Sequence, residues 1–260
     1  MNPKKKRLDV LLVDLGLATS RERAQRLILA GLVLVDDTPA DKPGHSYSPD
    51  ASIRLRGEDH PYVSRGGIKL AAALDAFPVP VLDRVAMDIG ASTGGFTQVL
   101  LLRGIERVHA IDVGHNQMDW KIRTDSRVKV LEKVNARNLD YGLIGEKVGI
   151  IVIDVSFISL EKILPATLPF STSETDWITL IKPQFEVGRE KVGKGGIVQS
   201  EDDRQEAIER VTRTAETLGL HRTGLIDSPI TGTDGNKEFL AHWKRRERAS
   251  SHEIPESQSI

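Results

Sequence analysis

Four charged residues close or open apolar stretches of this chain, where a charge is costly to bury. Asp154 follows "GIIVI", Lys182 follows "WITLI", Lys69 lies just inside a helical run that starts at Gly67, and Glu238 sits in "GNKEFL". Charges in such places are paired or put to use, so one reading is a purely structural ion-pair network. The other is acid–base chemistry, in which lysines and carboxylates orient a hydroxyl and accept its proton. A second constellation is the run from Asp88 to Phe96, "DIGASTGGF". Gly90, Gly94 and Gly95 let the backbone approach a ligand and open a helix whose amino terminus faces it. Ser92 stands where a dinucleotide loop of the Gly-x-Gly-x-x-Gly type has its second glycine, so a pyrophosphate is a poor match. Asp112, at the end of the next strand signal, lies where a carboxylate accepts ribose hydroxyls. A structural turn, or a nucleotide site of another kind, stays open for the loop taken alone.

These residues need a framework. After the Asp59-His60-Pro61 break, a helix over Gly67–Phe77 leads into strand signals at Arg84–Asp88, Val108–Asp112, Val128–Leu131, Gly149–Asp154 and Trp177–Lys182, with helical segments between them. Such alternation predicts an α/β unit with a mainly parallel sheet covered on both faces and ligands at the carboxyl ends of the strands. The run "GREKVGKG" from Gly188 nearly spells a triphosphate loop, but it lacks the final Ser or Thr and no apolar strand immediately precedes it. It reads as a basic loop, with Lys191 and Lys194 either near substrate phosphates or solvated.

Composition narrows the classes further. The chain has 260 residues, 28% charged and 39% hydrophobic, which is a globular composition with room for one large domain or a small and a medium one. The absence of cysteine removes disulfides, Cys-ligated zinc, iron–sulfur clusters and thiolate nucleophiles, and no metal site is expected. No stretch reaches the ~18 apolar residues of a membrane span, and Asp9 and Asp14 interrupt the apolar run behind the basic start, so a cytoplasmic protein is expected.

Residues 1–60 read as a separate ααββ unit. Leu8, Leu11, Leu12 and Leu15 form a helical stripe that stops at Gly16, and Thr19 with Glu22 makes a capping box for a second helix ending at Gly31, with Arg23 and Arg26 on its outer side. Leu32–Val35 and the stretch around Ile53 and Leu55 read as strands. Within residues 1–35, seven basic groups stand against three acids. The wording "RLDVLLVDLGLATSRERAQRLILAGLVLVDD" resembles the small RNA-binding domain named after a ribosomal small-subunit protein. That resemblance makes Lys4, Lys5, Lys6, Arg7, Arg21, Arg23, Arg26 and Arg54, with Arg65 beyond the unit, candidates for phosphate contacts. A packing or dimerisation module is the plainer alternative.

The glycine loop with Asp112 resembles the S-adenosylmethionine site of class I methyltransferases. Within that chemistry, methylation at a pyrimidine carbon needs a cysteine the chain lacks, and an exocyclic amine methylase shows an Asn/Asp-Pro-Pro-aromatic run where this chain has Asp154-Val-Ser-Phe157. Transfer to a ribose 2′-hydroxyl remains, with Lys182 as proton acceptor and Asp154 and Glu238 orienting the lysines. Lysine ordinarily holds its proton at neutral pH, so the role calls for burial and a neighbouring cation such as Lys69.

Over nearly the whole chain, "YVSRGGIKL", "DIGASTGGFT", "IDVGHNQ", "NARNL", "DVSFISL", "LIKPQFEVGR", "VGKGGIV" and "GNKEFL" are similar to the TlyA family. The resemblance implies a ribosomal RNA cytidine 2′-O-methyltransferase with a class I, Rossmann-like, seven-stranded domain over 67–244 behind the RNA-binding domain and a linker at 61–66. It carries a Lys-Asp-Lys-Glu tetrad onto Lys69, Asp154, Lys182 and Glu238. It places the cofactor on Asp88, Gly90, Ser92, Thr93, Gly94, Gly95, Phe96, Asp112 and Asn135, and a coupling segment at Tyr62, Val63, Ser64 and Arg65. From Arg245 the chain turns polar and is expected to be a frayed tail in place of the extra helix of longer members. That departure points to the large ribosomal subunit as substrate, and a monomer is expected. A catalytically weak ribosome assembly factor, a nucleotide-dependent oxidoreductase and a membrane-active haemolysin are the alternatives.

Overall fold

In the computed structural model, which describes residues 5–55, 60–232 and 234–246, the chain divides into two compact units, residues 1–61 and 62–260. The first unit opens with strand β1 (Lys6–Arg7), helix α1 (Leu8–Asp14) and helix α2 (Arg21–Leu29). Leu8, Leu11 and Leu12 of α1 and Ala24, Leu27 and Ile28 of α2 are buried, as their helical spacing requires. The cap of α2 is Ser20 rather than Thr19: its hydroxyl oxygen accepts the Arg23 N–H at 3.2 Å.

The strand content of this unit is richer than ααββ. Strands β2 (Val33–Val35), β3 (Thr38–Pro39), β4 (Ser46–Tyr47) and β5 (Ile53–Leu55) follow the helices. Three of them make an antiparallel sheet in the order β3-β2-β5, and β4 pairs with β1. The tight β2–β3 turn rests on Asp36 and Asp37, both left-handed at φ +48° and +60°, a conformation aspartate adopts more readily than most residues.

The second unit runs α3 (Gly66–Ala76), β6 (Val85–Ile89), α4 (Gly95–Leu102), β7 (Arg107–Ile111), α5 (Trp120–Arg123), β8 (Val128–Leu131), α6 (Tyr141–Ile144) and β9 (Val148–Ile153). It continues with α7 (Leu164–Thr167), β10 (Ser171–Ile181), α8 (Pro183–Glu186), α9 (Glu201–Thr217), β11 (Leu220–Asp227) and β12 (Phe239–Arg245). Seven strands form one sheet in the order β11-β12-β10-β9-β6-β7-β8. From β8 to β10 the pairing is parallel, and β12 enters antiparallel between β10 and β11. Arg245, expected in the tail, ends β12, and its guanidinium donates to Ser171 Oγ at 2.9 Å. Residues 247–260 lie outside the described residues.

Alternate residues of the strands feed two cores, because successive side chains of a strand point to opposite faces. Ala86, Val108, Ile150, Val152 and Ile178 pack with Leu70, Leu74, Val99 and Leu100 of α3 and α4. Met87, Ile89, Ile151, Ile153 and Trp177 pack with Ile208, Val211 and Ala215 of α9 on the other side. Strand β6 lies between β7 and β9, so the chain order reverses there. A crevice at the carboxyl ends of the strands is where such a sheet receives its ligand.

Candidate active site

The glycine loop leaves β6 at that crevice. Gly90 is left-handed at φ +87°, and a Cβ on it would stand 2.1 Å from the Asp154 carbonyl oxygen, so no other residue fits between the ends of β6 and β9. Gly94, at φ +91°, is the amino-terminal cap of α4. Ser92 is left-handed without being glycine, at φ +45°. Its strain is offset by the Asp112 carboxylate, which accepts the Ser92 N–H at 2.8 Å and the Gly114 N–H at 2.7 Å. Asp112 is thereby held half-buried at the carboxyl end of β7. Asn135 lies beside it, because the Val134 N–H donates to the Asp112 carbonyl at 3.0 Å.

Asp88 sits beneath the loop, fully buried in β6. One of its oxygens accepts the Thr97 hydroxyl at 2.6 Å, and the other, Oδ1, has no hydrogen-bond partner. Burial pushes its carboxyl up to about 7; the Thr97 bond opposes that shift and the charge of Asp154 adds to it. The Phe96 ring is buried in the core that α3 and α4 share with the sheet. The Thr93 carbonyl accepts the Asp119 N–H at 3.1 Å, which ties the loop to the segment ahead of α5. Glycines that admit no Cβ, a buried carboxylate with an unused oxygen, and an oriented acid at the next strand fit a cofactor that carries a cation and a ribose.

The four charged residues converge on the same sheet edge as two ion pairs. Asp154 and Lys182 follow the parallel strands β9 and β10, and Glu238 precedes β12, whose Phe239 is paired with Ile181. Lys182 Nζ lies 2.6 Å from Asp154 Oδ1 and donates to Ser156 Oγ at 2.9 Å. Lys69, in the first turn of α3, pairs with Glu238, and both are buried. The pairing meets the electrostatic demand of burial, and the carboxyl edge is also where chemistry belongs.

The segment after Asp154 carries two features absent from the expected site. Phe157 is 91% exposed and left-handed at φ +63°, with its ring 5.2 Å from that of Phe185 in α8. Buried Glu186, also in α8, accepts the Ser159 hydroxyl at 2.6 Å and the Leu160 N–H at 2.9 Å. One carboxylate thus fastens the Asp154–Leu160 segment to the turn that follows Lys182.

Comparison with known proteins decides what this edge belongs to. Residues 62–245 match the model of the FtsJ-like methyltransferase family, and residues 6–53 match the S4 domain. Over 261 residues the chain is 45% identical to YqxC of Bacillus subtilis, covering 99% of this chain and 92% of that protein. It is also 45% identical over 240 residues to TlyA of Mycobacterium tuberculosis, covering 92% of this chain and 89% of that protein, which is named a 16S/23S rRNA (cytidine-2′-O)-methyltransferase. The chain belongs to the TlyA family of FtsJ-like methyltransferases. A solved structure described as a hemolysin from Streptococcus thermophilus matches with a TM-score of 0.74 and 43% identity, covering 95% of this chain and 90% of that one. The cofactor of this methyltransferase family is S-adenosylmethionine.

In this TlyA-family chain the expected coupling segment packs directly on the loop's helix. The Val63 N–H donates to Gln98 Oε1 at 2.6 Å, and a Cβ on Gly95 would stand 2.2 Å from Ser64 Oγ. The Tyr62 ring occupies the space a Cβ on Gly67 would need. Arg65 donates to the Thr231 carbonyl at 2.7 Å.

The basic residues of the S4 domain are less free than their count suggests. Arg7 and Arg21 both reach the buried Asp9, Lys6 pairs with Asp14 at 2.8 Å, and Arg54 pairs with Asp37 at 2.7 Å. Arg23 departs from its expected outer position: it is 8% exposed, and its guanidinium donates to the His60 carbonyl at 2.5 Å. Arg26 is half-buried, Lys5 is exposed, and Lys4 lies outside the described residues. In the other unit, Lys191 of the basic loop is engaged by Asp203 and Glu206, so that loop is anchored to α9. Among the described residues no cluster of side chains suits a metal ion, and no helix is long and apolar enough to cross a membrane.

Proposed function

We propose that this chain transfers a methyl group from S-adenosylmethionine to the 2′-hydroxyl of a cytidine in ribosomal RNA. Membership of the TlyA family, one member of which is named for that reaction, supports the substrate. The observation that carries the chemistry is the convergence of Lys69, Asp154, Lys182 and Glu238 on the carboxyl edge beside the glycine loop.

Bound S-adenosylmethionine supplies a methyl group on a sulfonium, an electrophile that any positioned oxygen can attack. The backbone of Gly90, Ser92 and Gly94 would hold it against the sheet, with Asp112 on the ribose, Asn135 near the adenine and Asp88 countering its positive charge from below. Lys182 Nζ takes the hydroxyl proton as the oxygen forms its new bond, and Asp154 holds that amine in place. The Lys69–Glu238 pair keeps a second cation at the edge to steady negative charge on the oxygen. Much of the acceleration comes from fixing two reactants in line, which effective molarities show to be worth ~7–11 kcal/mol in the best cases. Exposed Phe157 offers a flat apolar face to a base leaving its stack, a contact worth ~1–3 kcal/mol.

The S4 domain supplies the RNA contacts, with Lys5 and the outward atoms of Arg7, Arg21, Arg26 and Arg54 placing phosphates. Arg7 and Arg21 keep free N–H groups beyond those bound to Asp9, so they bridge acid and phosphate. Two finer points belong to this reading: one chain as the working unit, and the large subunit as acceptor. The activity would sit in the cytoplasm with its ribosomal substrate.

The test is transfer of labelled methyl to purified small subunits, large subunits and protein-free ribosomal RNA, followed by nucleoside mass spectrometry. A 2′-O-methylcytidine product, found in one subunit, supports the reading and fixes its scope. Tight cofactor binding without transfer to any of the three substrates would favour an assembly factor instead.

A further inference from the structure

We infer that Ser156 is a positioning residue for the methyl transfer, aiming the amine of Lys182 at the acceptor hydroxyl. The inference rests on the proton-acceptor role of Lys182 proposed above. Its basis is a count of directions around one nitrogen. A tetrahedral Nζ has four positions, one of them the bond to its own side chain. Ser156 Oγ, at 2.9 Å, accepts along one of the remaining three, whereas Asp154 Oδ1 lies 2.6 Å from Nζ as an ion-pair partner outside hydrogen-bond geometry and has no hydrogen-bond partner of its own. In the neutral amine one N–H is thereby fixed on Ser156, and of the two directions left the Asp154 charge draws the second N–H to its side and turns the lone pair away from it. The ion pair alone would leave the amine free to turn about its Cε–Nζ bond, and the hydrogen bond to Ser156 fixes it.

The proton and charge balance follow from the same count. The hydroxyl loses its proton to the lone pair of Nζ while its oxygen gains the methyl group, so one O–H and one carbon–sulfur bond break and one N–H and one O–C bond form. The positive charge that entered on the sulfonium ends on Lys182. There the ammonium has three N–H groups, one accepted by Ser156 and one on the side of the Asp154 charge, and the third carries the transferred proton toward the product oxygen.

Ser156 itself is held for this task. It is exposed, so neither core packing nor burial explains its hydrogen bond to Lys182. The segment bearing it is fixed at one end by Asp154, whose N–H donates to the Ile89 carbonyl at 2.9 Å, and at the other by the Glu186 carboxylate on Ser159 and Leu160. Arg210 reinforces that end, donating to Glu161 at 2.7 Å and to the Glu186 carbonyl at 2.9 Å.

The experiment is steady-state methyl transfer to ribosomal subunits by the full chain carrying Ser156→Ala or Ser156→Thr, with Lys182→Ala alongside and cofactor affinity measured by titration. Ser156→Ala should lower kcat on the order of 10–100-fold, because a misaimed group costs that much, while both KM values and cofactor affinity stay within about twofold. Ser156→Thr, which keeps the hydroxyl, should restore most of kcat. A kcat in Ser156→Ala equal to that of the unaltered protein overturns the inference, and so does a loss that Ser156→Thr shares in full or one that falls on KM alone. Lys182→Ala separates the two levels of the argument. Turnover retained there removes the proton-acceptor reading itself, whereas an inactive Lys182→Ala beside a normal Ser156→Ala removes only the positioning role.

Discussion

Replacing Asp88 by asparagine should stabilise the methyltransferase unit, and by more as the pH rises. Asp88 is fully buried, accepts one hydrogen bond from Thr97, and has its carboxyl pushed up by burial to about 7. In the unfolded chain the same group releases its proton near ~3.9. Between those values the folded state holds a proton the unfolded state has already lost, so stability falls as pH rises through the window. At about 1.4 kcal/mol per pH unit, the group costs the fold roughly 4 kcal/mol by pH 8 and almost nothing below pH 4. Asparagine keeps an acceptor for Thr97 and has no proton to release. The stability gap between Asp88→Asn and the unaltered protein should therefore widen by roughly 2–3 kcal/mol between pH 5 and pH 8. Urea unfolding followed by tryptophan fluorescence is the assay, since Trp120, Trp177 and Trp243 all lie in residues 62–260 and report on that unit alone. A gap that is flat with pH, or a variant less stable than the parent at pH 8, refutes the reasoning.

Other outcomes follow from the same geometry. Lys182→Ala should abolish methyl transfer while leaving cofactor affinity within about threefold, because Lys182 belongs to the acceptor side of the edge; a titration beside the turnover assay checks both. Gly90→Ala should prevent cofactor binding or unfold the unit, since its Cβ would stand 2.1 Å from the Asp154 carbonyl oxygen at a left-handed φ of +87°. Asp9→Asn should destabilise the S4 domain at neutral pH by about 1–3 kcal/mol. The Arg7 guanidinium holds the Asp9 carboxyl well below the usual carboxylate range, so its contribution is present above that range and fades as pH falls through it. Hydrogen exchange of the α1 and α2 amides, with the difference shrinking toward acid pH, is the measurement. Arg23→Ala should loosen the same domain, whereas Arg26→Ala should chiefly lower RNA affinity and flatten its salt dependence, which binding titrations at several ionic strengths distinguish.

The sequence made the parallel part of the sheet legible because β6, β7, β8 and β9 are short apolar runs with an acid or a glycine where each leaves the core. Strand β10 was harder at its start, where the polar residues Ser171–Asp176 precede Trp177: Ser171 pairs with Val148 of β9, the register then shifts, Asp176 pairs with Lys244 of β12, and the Thr175 hydroxyl donates to the Val148 carbonyl at 2.6 Å. Strands β11 and β12 carry His221, Arg222, His242 and Lys244 among their apolar residues, and this mixed pattern becomes a strand only through pairing. The tetrad was legible as charges on apolar elements, but its division into Lys69–Glu238 and Lys182–Asp154 depends on register across β10 and β12, which one chain's spacing does not encode. Ser156 and Glu186 carried no signal of their own, since a serine after a strand and a glutamate in a short helix are ordinary. The burial of Arg23 was missed for a related reason: on the helical stripe it flanks Ala24 and Leu27, and the returning chain at His60, distant in sequence, accepts from its guanidinium.

Strand β12 is the last strand among the described residues and yet lies inside the sheet, between β10 and β11, with Glu238 at its threshold. During synthesis the sheet therefore stays open at that slot until β12 has been made. Lys69, made early, has no carboxylate partner before Glu238 arrives, and β11 has no strand to pair with. A nascent chain that already displays its S4 domain thus has RNA affinity before it has an assembled methylation site. Turnover in this protein consequently doubles as a report that the carboxyl-terminal strand has been threaded home, and a chain cut short before Phe239 would dock on RNA without modifying it.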